Sequence, residues 1–361
     1  MPSPAAARLT IDLDALAHNY AVLQAHAPGA DMAPVVKADG YGLGAGPIAR
    51  RLWAEGARAF FVARLSEGEA LRAALTPDRP ATIYVLDGLT PGTGQRLHAA
   101  DLTPALTSLA QLAEATAFAA SLPGPWPVAL HVDTGVNRQG LTLGQMISLP
   151  PLPSTLDLRL VMSHLGSATT PADPRNPTQL AKFRAVAARF PDIPLSLGAS
   201  AGIFLGADYR FDMVRPGVSL YGGGPEERPD PRLKAVATLD APILDIRQVA
   251  AGELLGYGTG VTLARATRLA VVAAGYADGL IRQAKGAATA WFAGALRPIL
   301  IVNMDMIAID IGNAPARPGV RVELLGPNAS LDDLASAAGT VAHECLVRLS
   351  QRAQRSYVGE V

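Results

Sequence analysis

Residues 33–46 read APVVKADGYGLGAG. An apolar run with two adjacent valines leads into Lys37. A glycine-rich turn then delivers the chain to 47–55, where apolar residues recur at helical spacing. Strand, loop and helix in that order form the first half of a βαβ unit. The pattern repeats downstream. Strand-like runs stand at 59–63 (AFFVA), 82–86 (TIYVL), 102–106 (LTPAL), 127–133 (PVALHVD), 158–164 (LRLVMSH), 194–199 (PLSLGA) and 211–215 (FDMVR). Helical spacing fills 67–75, 109–120 and 179–190 between them. With the strand at 33–37 these runs predict an N-terminal (β/α)8 TIM-like barrel; a doubly wound open sheet is the alternative topology.

The text changes at 222–231, GGGPEERPDP, a turn-rich stretch that reads as a linker. Beyond it the helical signal fades. Long apolar or alternating runs at 236–249, 267–274, 298–311 and 320–325 predict a mostly β domain, with one short helix near 331–338. The β-like opening at 8–11 is surplus to an eight-stranded barrel and is expected to join this second domain. The expected division is therefore 12–228 for the barrel and 229–361, with strand 8–11, for the β domain.

The 361 residues carry 31 basic and 31 acidic side chains, so net charge gives no reason to expect a nucleic acid or an anionic membrane as partner. With 49% hydrophobic and 17% charged residues the chain is too apolar for disorder. No run approaches the ~18 apolar residues of a membrane span, and the opening MPSPAAARLTIDLD lacks a signal-peptide pattern. Cys345 is the single cysteine, which excludes an intramolecular disulfide and fits a reducing, cytoplasmic setting.

In a (β/α)8 barrel the chemistry gathers where the strands end. Here the first strand ends in Lys37, the fifth runs into Asp133 and Arg138, and the sixth ends in His164. The seventh gives way to Ser200, and the eighth ends in Arg215 followed by Gly217 and Val218. An amine beside an apolar barrel core loses ammonium character by desolvation and can attack a carbonyl to form a Schiff base. The Ser200 hydroxyl with the amides of Gly217 and Val218 offers an anion site, although Ser200 is also readable as a helix N-cap. The loop ADGYGLGAG fits neither the Walker nor the dinucleotide spacing, and alone it is a flexible turn as readily as a phosphate cradle. No HExxH, no clustered cysteines and only an isolated His131/Asp133 pair appear, so no metal site is expected. A Schiff-base lysine and a phosphate site on one mouth suggest pyridoxal phosphate.

At this point the residues resemble a known family. VVKADGYGLG at 35–44 is similar to the cofactor signature of alanine racemases. The resemblance continues in order through VDTGVNRQG (132–140), MSHLGSA (162–168), MVRPGVSLYG (213–222), GYGTGVT (256–262), AGYADG (274–279) and NMDM (303–306). It implies a pyridoxal-phosphate barrel plus a C-terminal β domain, assembled as a head-to-tail homodimer that interconverts L- and D-alanine for the bacterial cell wall. It further implies two bases. Lys37 would hold the cofactor as an aldimine and act on the D-enantiomer, and Tyr276 would act on the L-enantiomer from the other subunit. Tyr41, Ser200, Gly217 and Val218 would hold the phosphate, Arg215 would face the pyridine nitrogen, and His164 would lie beside it. Arg138 would contact the cofactor's phenolic oxygen and the substrate carboxylate. Met304 would offer its backbone to the substrate and Asp305 would support Tyr276.

Several positions depart from that pattern. His131 stands where many members carry a carbamylated lysine, Asn303 where cysteine or serine is common, and Ala199 where some have asparagine. Gln351 replaces a phosphate-binding tyrosine, with Tyr357 a few residues on. Two rival readings use the same cofactor: a related amino-acid decarboxylase and a non-catalytic carrier. Cys345-Leu346 lacks the cysteine–aspartate pair expected of the first, and a second domain bearing AGYADG is foreign to the second.

Overall fold

The computed structural model describes residues 7–258, 260–349 and 351–359. Residues 1–6 of the opening stretch and 360–361 of the expected second domain lie outside these. The chain divides by contacts into two units, one made of Asn19–Leu220 and the other of the segments up to His18 and from Tyr221 onward.

In the first unit the strands Ala59–Val62, Thr82–Val85, Thr103–Leu106, Trp126–Asp133, Leu156–Met162 and Leu195–Ser196 pair in sequence order, all parallel. A parallel bridge from Ala199 to Arg215 carries the ladder to Met213–Val214, which pairs parallel with Asp31–Met32. A last parallel bridge, Val35 to Phe61, returns it to its start. The sheet closes, which removes the open-sheet alternative. Ala59–Val62 and Thr103–Leu106 are buried at every position, as strands covered on both faces must be. Phe61 and Tyr84 stack inside with centroids 4.7 Å apart, filling the barrel beneath its mouth.

Helices flank these strands where spacing predicts them, at Ala45–Ala54, Leu65–Leu75, Leu109–Ala119 and Arg175–Ala187. Leu13–His26 is an additional helix whose Leu13, Leu16, Tyr20 and Leu23 are buried at helical spacing. Gly94–Ala99 and Leu143–Ser148, at six residues each, are too short to leave a periodic signature.

In the second unit the long strand Ala237–Val249 pairs with Arg321–Leu325 and with Thr267–Val272. Between those partners run Ile307–Asp310, Ala295–Val302 and Thr289–Phe292, so this sheet also closes on itself. Arg8–Asp12 extends it, antiparallel to Ala237–Val249 and parallel to Gln354–Val358. One correction concerns 298–311, which is a hairpin and not a single run. The polar Asn303 and Asp305 turn the chain, and the Asn303 amide donates to the Met306 carbonyl at 2.9 Å.

Candidate active site

Lys37 lies two residues beyond the Val35 bridge that follows the first barrel strand, Asp31–Met32, instead of ending the strand, and it opens a left-handed turn. Ala38, Asp39 and Gly40 have φ of 53°, 54° and 61°, and Tyr41 follows at 56°. Each non-glycine residue in that region costs about 1 kcal/mol or more, so the turn must be held from outside. Asp39 Oδ1 accepts from the Ala45 amide at 2.8 Å, and Glu67 Oε1 accepts from the Ala38 amide at 3.0 Å. The other oxygen of Glu67 takes the amides of Ala63 at 2.8 Å and Arg64 at 3.2 Å at the start of its own helix. Burial lowers the Lys37 ammonium and the Arg138 guanidinium lowers it further, against opposing pulls from Glu67 and Asp87. The local fold therefore favours a neutral, nucleophilic amine.

Arg215, bridged to Ala199 just past the closing strand, is buried at 3% exposure. Its guanidinium donates to the Ser196 hydroxyl at 2.5 Å and to the Ser163 carbonyl, both neutral oxygens. Burial lowers its pKa to about 9, so it stays protonated at neutral pH. A buried cation without a carboxylate is expensive unless something electron-rich completes its shell. Its positive charge also reaches the two histidines of the mouth. His164 is held down to about 3 and His131 to about 4, first by burial and then by Arg215 and Arg138. Both are neutral rings at physiological pH. His131 Nδ1 is buried with no hydrogen-bond partner among the described residues.

A buried polar lattice fixes the loop around His164. Gln179 donates to the His164 carbonyl at 3.0 Å and to Thr134 Oγ1 at 3.1 Å, while its carbonyl oxygen accepts from the Gly166 amide at 2.8 Å. Thr134 and Ser163 share a 2.8 Å hydroxyl contact. Arg138 itself is exposed, at the end of a loop whose start is pinned by Asp133 accepting from the Gly135 and Val136 amides.

Beside Arg215, Ser200 Oγ accepts from the Gly217 amide at 2.9 Å and the Ser219 amide at 3.2 Å. Ser200 opens the helix Ser200–Phe204 and Val218 opens the turn Val218–Tyr221. Gly217 has a packing reason to be glycine: a Cβ there would collide with the phenolic oxygen of Tyr41. Burial pushes that phenol well above its ordinary range, so it stays protonated as a donor. The hydroxyl of Ser219 is buried and has no partner among the described residues. One cup thus collects Tyr41, Ser200, Gly217 and Ser219.

The remaining sequence-predicted residues lie in the other unit. Tyr276 begins the short turn Tyr276–Asp278 and is 40% exposed; Met304 is 52% exposed at the Asn303–Met306 turn. Asp305 makes no hydrogen bond to Tyr276 and accepts instead from Arg352 at 2.6 Å. Gln351 is exposed, and Tyr357 lies in Gln354–Val358 opposite Ile11.

A family model described as the alanine racemase N-terminal domain matches residues 11–225, and one described as the alanine racemase C-terminal domain matches 236–357. The chain belongs to the alanine racemase family. Among related racemases, one from Methylobacterium sp. (strain 4-46) is 43% identical over 99% of both chains. A catabolic alanine racemase of Agrobacterium fabrum is 42% identical over 98% of this chain and 92% of its own. The alanine racemase of Bartonella henselae, solved with covalently bound pyridoxal phosphate, superposes with a TM-score of 0.91 at 34% identity over 98% of this chain and 100% of that one. The biosynthetic alanine racemase of Pseudomonas aeruginosa gives 0.89 at 31% identity over 98% and 100%. In this racemase-family barrel, sequence reading overlooked Glu67, Ser196, Gln179 and Ser219. Glu67 carries a readable signal, an acid in the first turn of a helix, but its bond across to Ala38 spans 29 positions and leaves no local trace.

Proposed function

We propose that this chain interconverts L- and D-alanine with pyridoxal phosphate on Lys37, and that Lys37 and Tyr276 are the two proton-transferring groups. The observation that carries the reading is Arg215, a buried guanidinium that donates to two neutral oxygens and lies 5.8 Å from the centre of the Phe61 ring, with no carboxylate among its described partners. A ring nitrogen with a free electron pair is the partner its chemistry lacks. The amine of Lys37 and the hydroxyl and phenol cup beside Gly217 fit an aldehyde and a phosphate on the same ring.

Pyridoxal phosphate supplies an aldehyde that condenses with amines and a ring that draws off the electron pair left when Cα loses its proton. Arg215 limits that draw, because guanidinium donates a hydrogen bond yet does not surrender its proton to a pyridine. Lys37, whose ammonium form burial disfavours, removes or returns the proton on one face. Tyr276 serves the other face. A phenol ordinarily titrates near 10, so its work as a base depends on neighbouring positive charge. Arg138 holds the substrate carboxylate, and the Met304 backbone borders the substrate.

Tyr276 reaches its site, in this reading, from a second copy of the chain. The exposed side chains of Tyr276, Met304, Met306, Tyr257 and Leu254 support an apolar contact surface on the β unit. The reading extends to a cytoplasmic homodimer that supplies D-alanine for a bacterial cell wall. The buried free thiol of Cys345 suits a reducing compartment, and no helix among the described residues is long and apolar enough to cross a membrane. Among these residues no cluster of three metal-ligating side chains occurs either. Burial also raises the Cys345 thiol to about 11, which disfavours a decarboxylase that would use it as a reactive group.

Purified protein supplied with the cofactor and single L-amino acids, followed by chiral separation, tests the reading. D-alanine should accumulate; carbon dioxide release with no D-isomer would replace racemase by decarboxylase.

A further inference from the structure

Tyr276 sits on a turn that is fastened twice to the turn bearing Met304. Its amide donates to the Asn303 carbonyl at 2.9 Å, and the Ala277 amide donates to the Met304 carbonyl at 3.0 Å. The backbones are so close that a Cβ on Gly275 would strike both carbonyl oxygens and come within 2.6 Å of the Met304 carbonyl carbon. Asp278 caps this turn by accepting from the Gly275 amide at 2.8 Å, and its carboxylate is buried at 3% exposure.

One guanidinium completes the arrangement. Arg352 Nε donates to Asp278 Oδ1 at 2.8 Å and a terminal nitrogen donates to Oδ2 at 2.6 Å, a bidentate pair. Its second terminal nitrogen donates to Asp305 Oδ1 at 2.6 Å. The three N–H groups therefore tie the Tyr276 turn on one side and the Met304 turn on the other. A planar fork pairs one carboxylate bidentately while reaching a second; a lysine ammonium, a point charge with three rotatable donors, cannot reproduce that fixed bidentate geometry.

We infer that Arg352 is a positioning residue: it bridges Asp278 and Asp305 and thereby sets the Tyr276 phenol relative to the Met304 backbone. The inference rests on reading Tyr276 as the base for L-alanine. Misplacing a reacting group by about 1 Å costs on the order of a hundredfold in rate. The damage should be one-sided, because Lys37 belongs to a different unit and is untouched.

The test compares holoenzymes carrying Arg352→Ala, Arg352→Lys, Asp305→Asn and Tyr276→Phe. Two rates are read: racemisation, which needs both bases, and exchange of the D-alanine Cα hydrogen for solvent deuterium, which needs only Lys37. The lysine-bound cofactor band and the thermal midpoint are followed alongside. Arg352→Ala should slow racemisation about a hundredfold while D-alanine exchange stays within a few-fold of wild type. Arg352→Lys should rescue little of the loss. Asp305→Asn leaves the buried Asp278 pair intact, so it folds, and it should show the same imbalance more weakly. Equal decline of both rates with a lowered midpoint, or no change in either, would overturn the positioning role. Unchanged racemisation in Tyr276→Phe would instead remove the base assignment itself, and the role of Arg352 with it.

Discussion

Glu67 accepts a hydrogen bond from the backbone amide of Ala38 at 3.0 Å, joining the second helix after the barrel's start to the left-handed turn that follows Lys37. The same carboxylate closes its own helix through Ala63 and Arg64. A charged acceptor serving three amides holds a turn that its non-glycine residues resist. Glu67→Ala should weaken cofactor binding by roughly ten- to a hundredfold, since one charge-assisted bond contributes about 1.5–3 kcal/mol. Titration of the apo-enzyme with pyridoxal phosphate reads this; unaltered affinity would show that the turn holds without it.

Arg215 gives a prediction about reaction outcome as well as rate. Replacing it by glutamate exchanges a donor that keeps its proton for a group that can share one with the pyridine nitrogen. Racemisation should fall on the order of 10²- to 10³-fold, as when a preorganised donor is lost. Pyruvate formed by transamination should rise, because a protonated ring retains the electron pair longer. Pyruvate assay during alanine turnover measures it. A variant that loses rate with no added pyruvate would contradict the role given to Arg215.

The cup offers a paired test. Gly217→Ala places a methyl against the Tyr41 phenol, so cofactor affinity should drop. Removing that oxygen with Tyr41→Phe makes room, and the double variant should bind better than Gly217→Ala alone. Strict additivity of the two losses would deny the contact.

Much of this was legible in sequence, and the reasons are local. The lysine at the end of APVV, the arginine of MVRPG and the Ser200–Gly217 pairing announce themselves because strand ends of a barrel share one mouth. The left-handed turn was not readable, since Ala38 carries no signal for positive φ and Asp39 only a weak one; bonds from Glu67 and Asp39 hold them there. Nor were Gln179 and Ser196, whose partners His164 and Arg215 lie 15 and 19 positions away. The hairpin reads in sequence as one run, 298–311, because Ile299–Val302 and Ile307–Ile309 are apolar on both sides of a short polar turn.

His131 and His164 set the acid limb of stability. Their folded pKa values, about 4 and about 3, lie below the unfolded value near 6.5. An unfolded chain therefore takes up protons below pH 6.5 that the folded chain refuses, and stability is full above that pH. It is lost as pH falls toward 4, by up to ~1.4 kcal/mol per pH unit for each histidine. In denaturant unfolding of the cofactor-free enzyme, His131→Asn should make stability between pH 6.5 and 4.5 less steep. An identical slope in wild type and variant would mean His131 titrates normally.

The most direct test of the central claim is turnover of L-alanine by the cofactor-loaded enzyme in deuterium oxide, with the products separated by chirality and weighed by mass spectrometry. Two groups on opposite faces predict D-alanine bearing one deuterium at Cα, accumulating until the enantiomers are equal, and no such product from Lys37→Ala. L-alanine recovered unchanged by the intact enzyme, or D-alanine still formed by Lys37→Ala, would contradict the account.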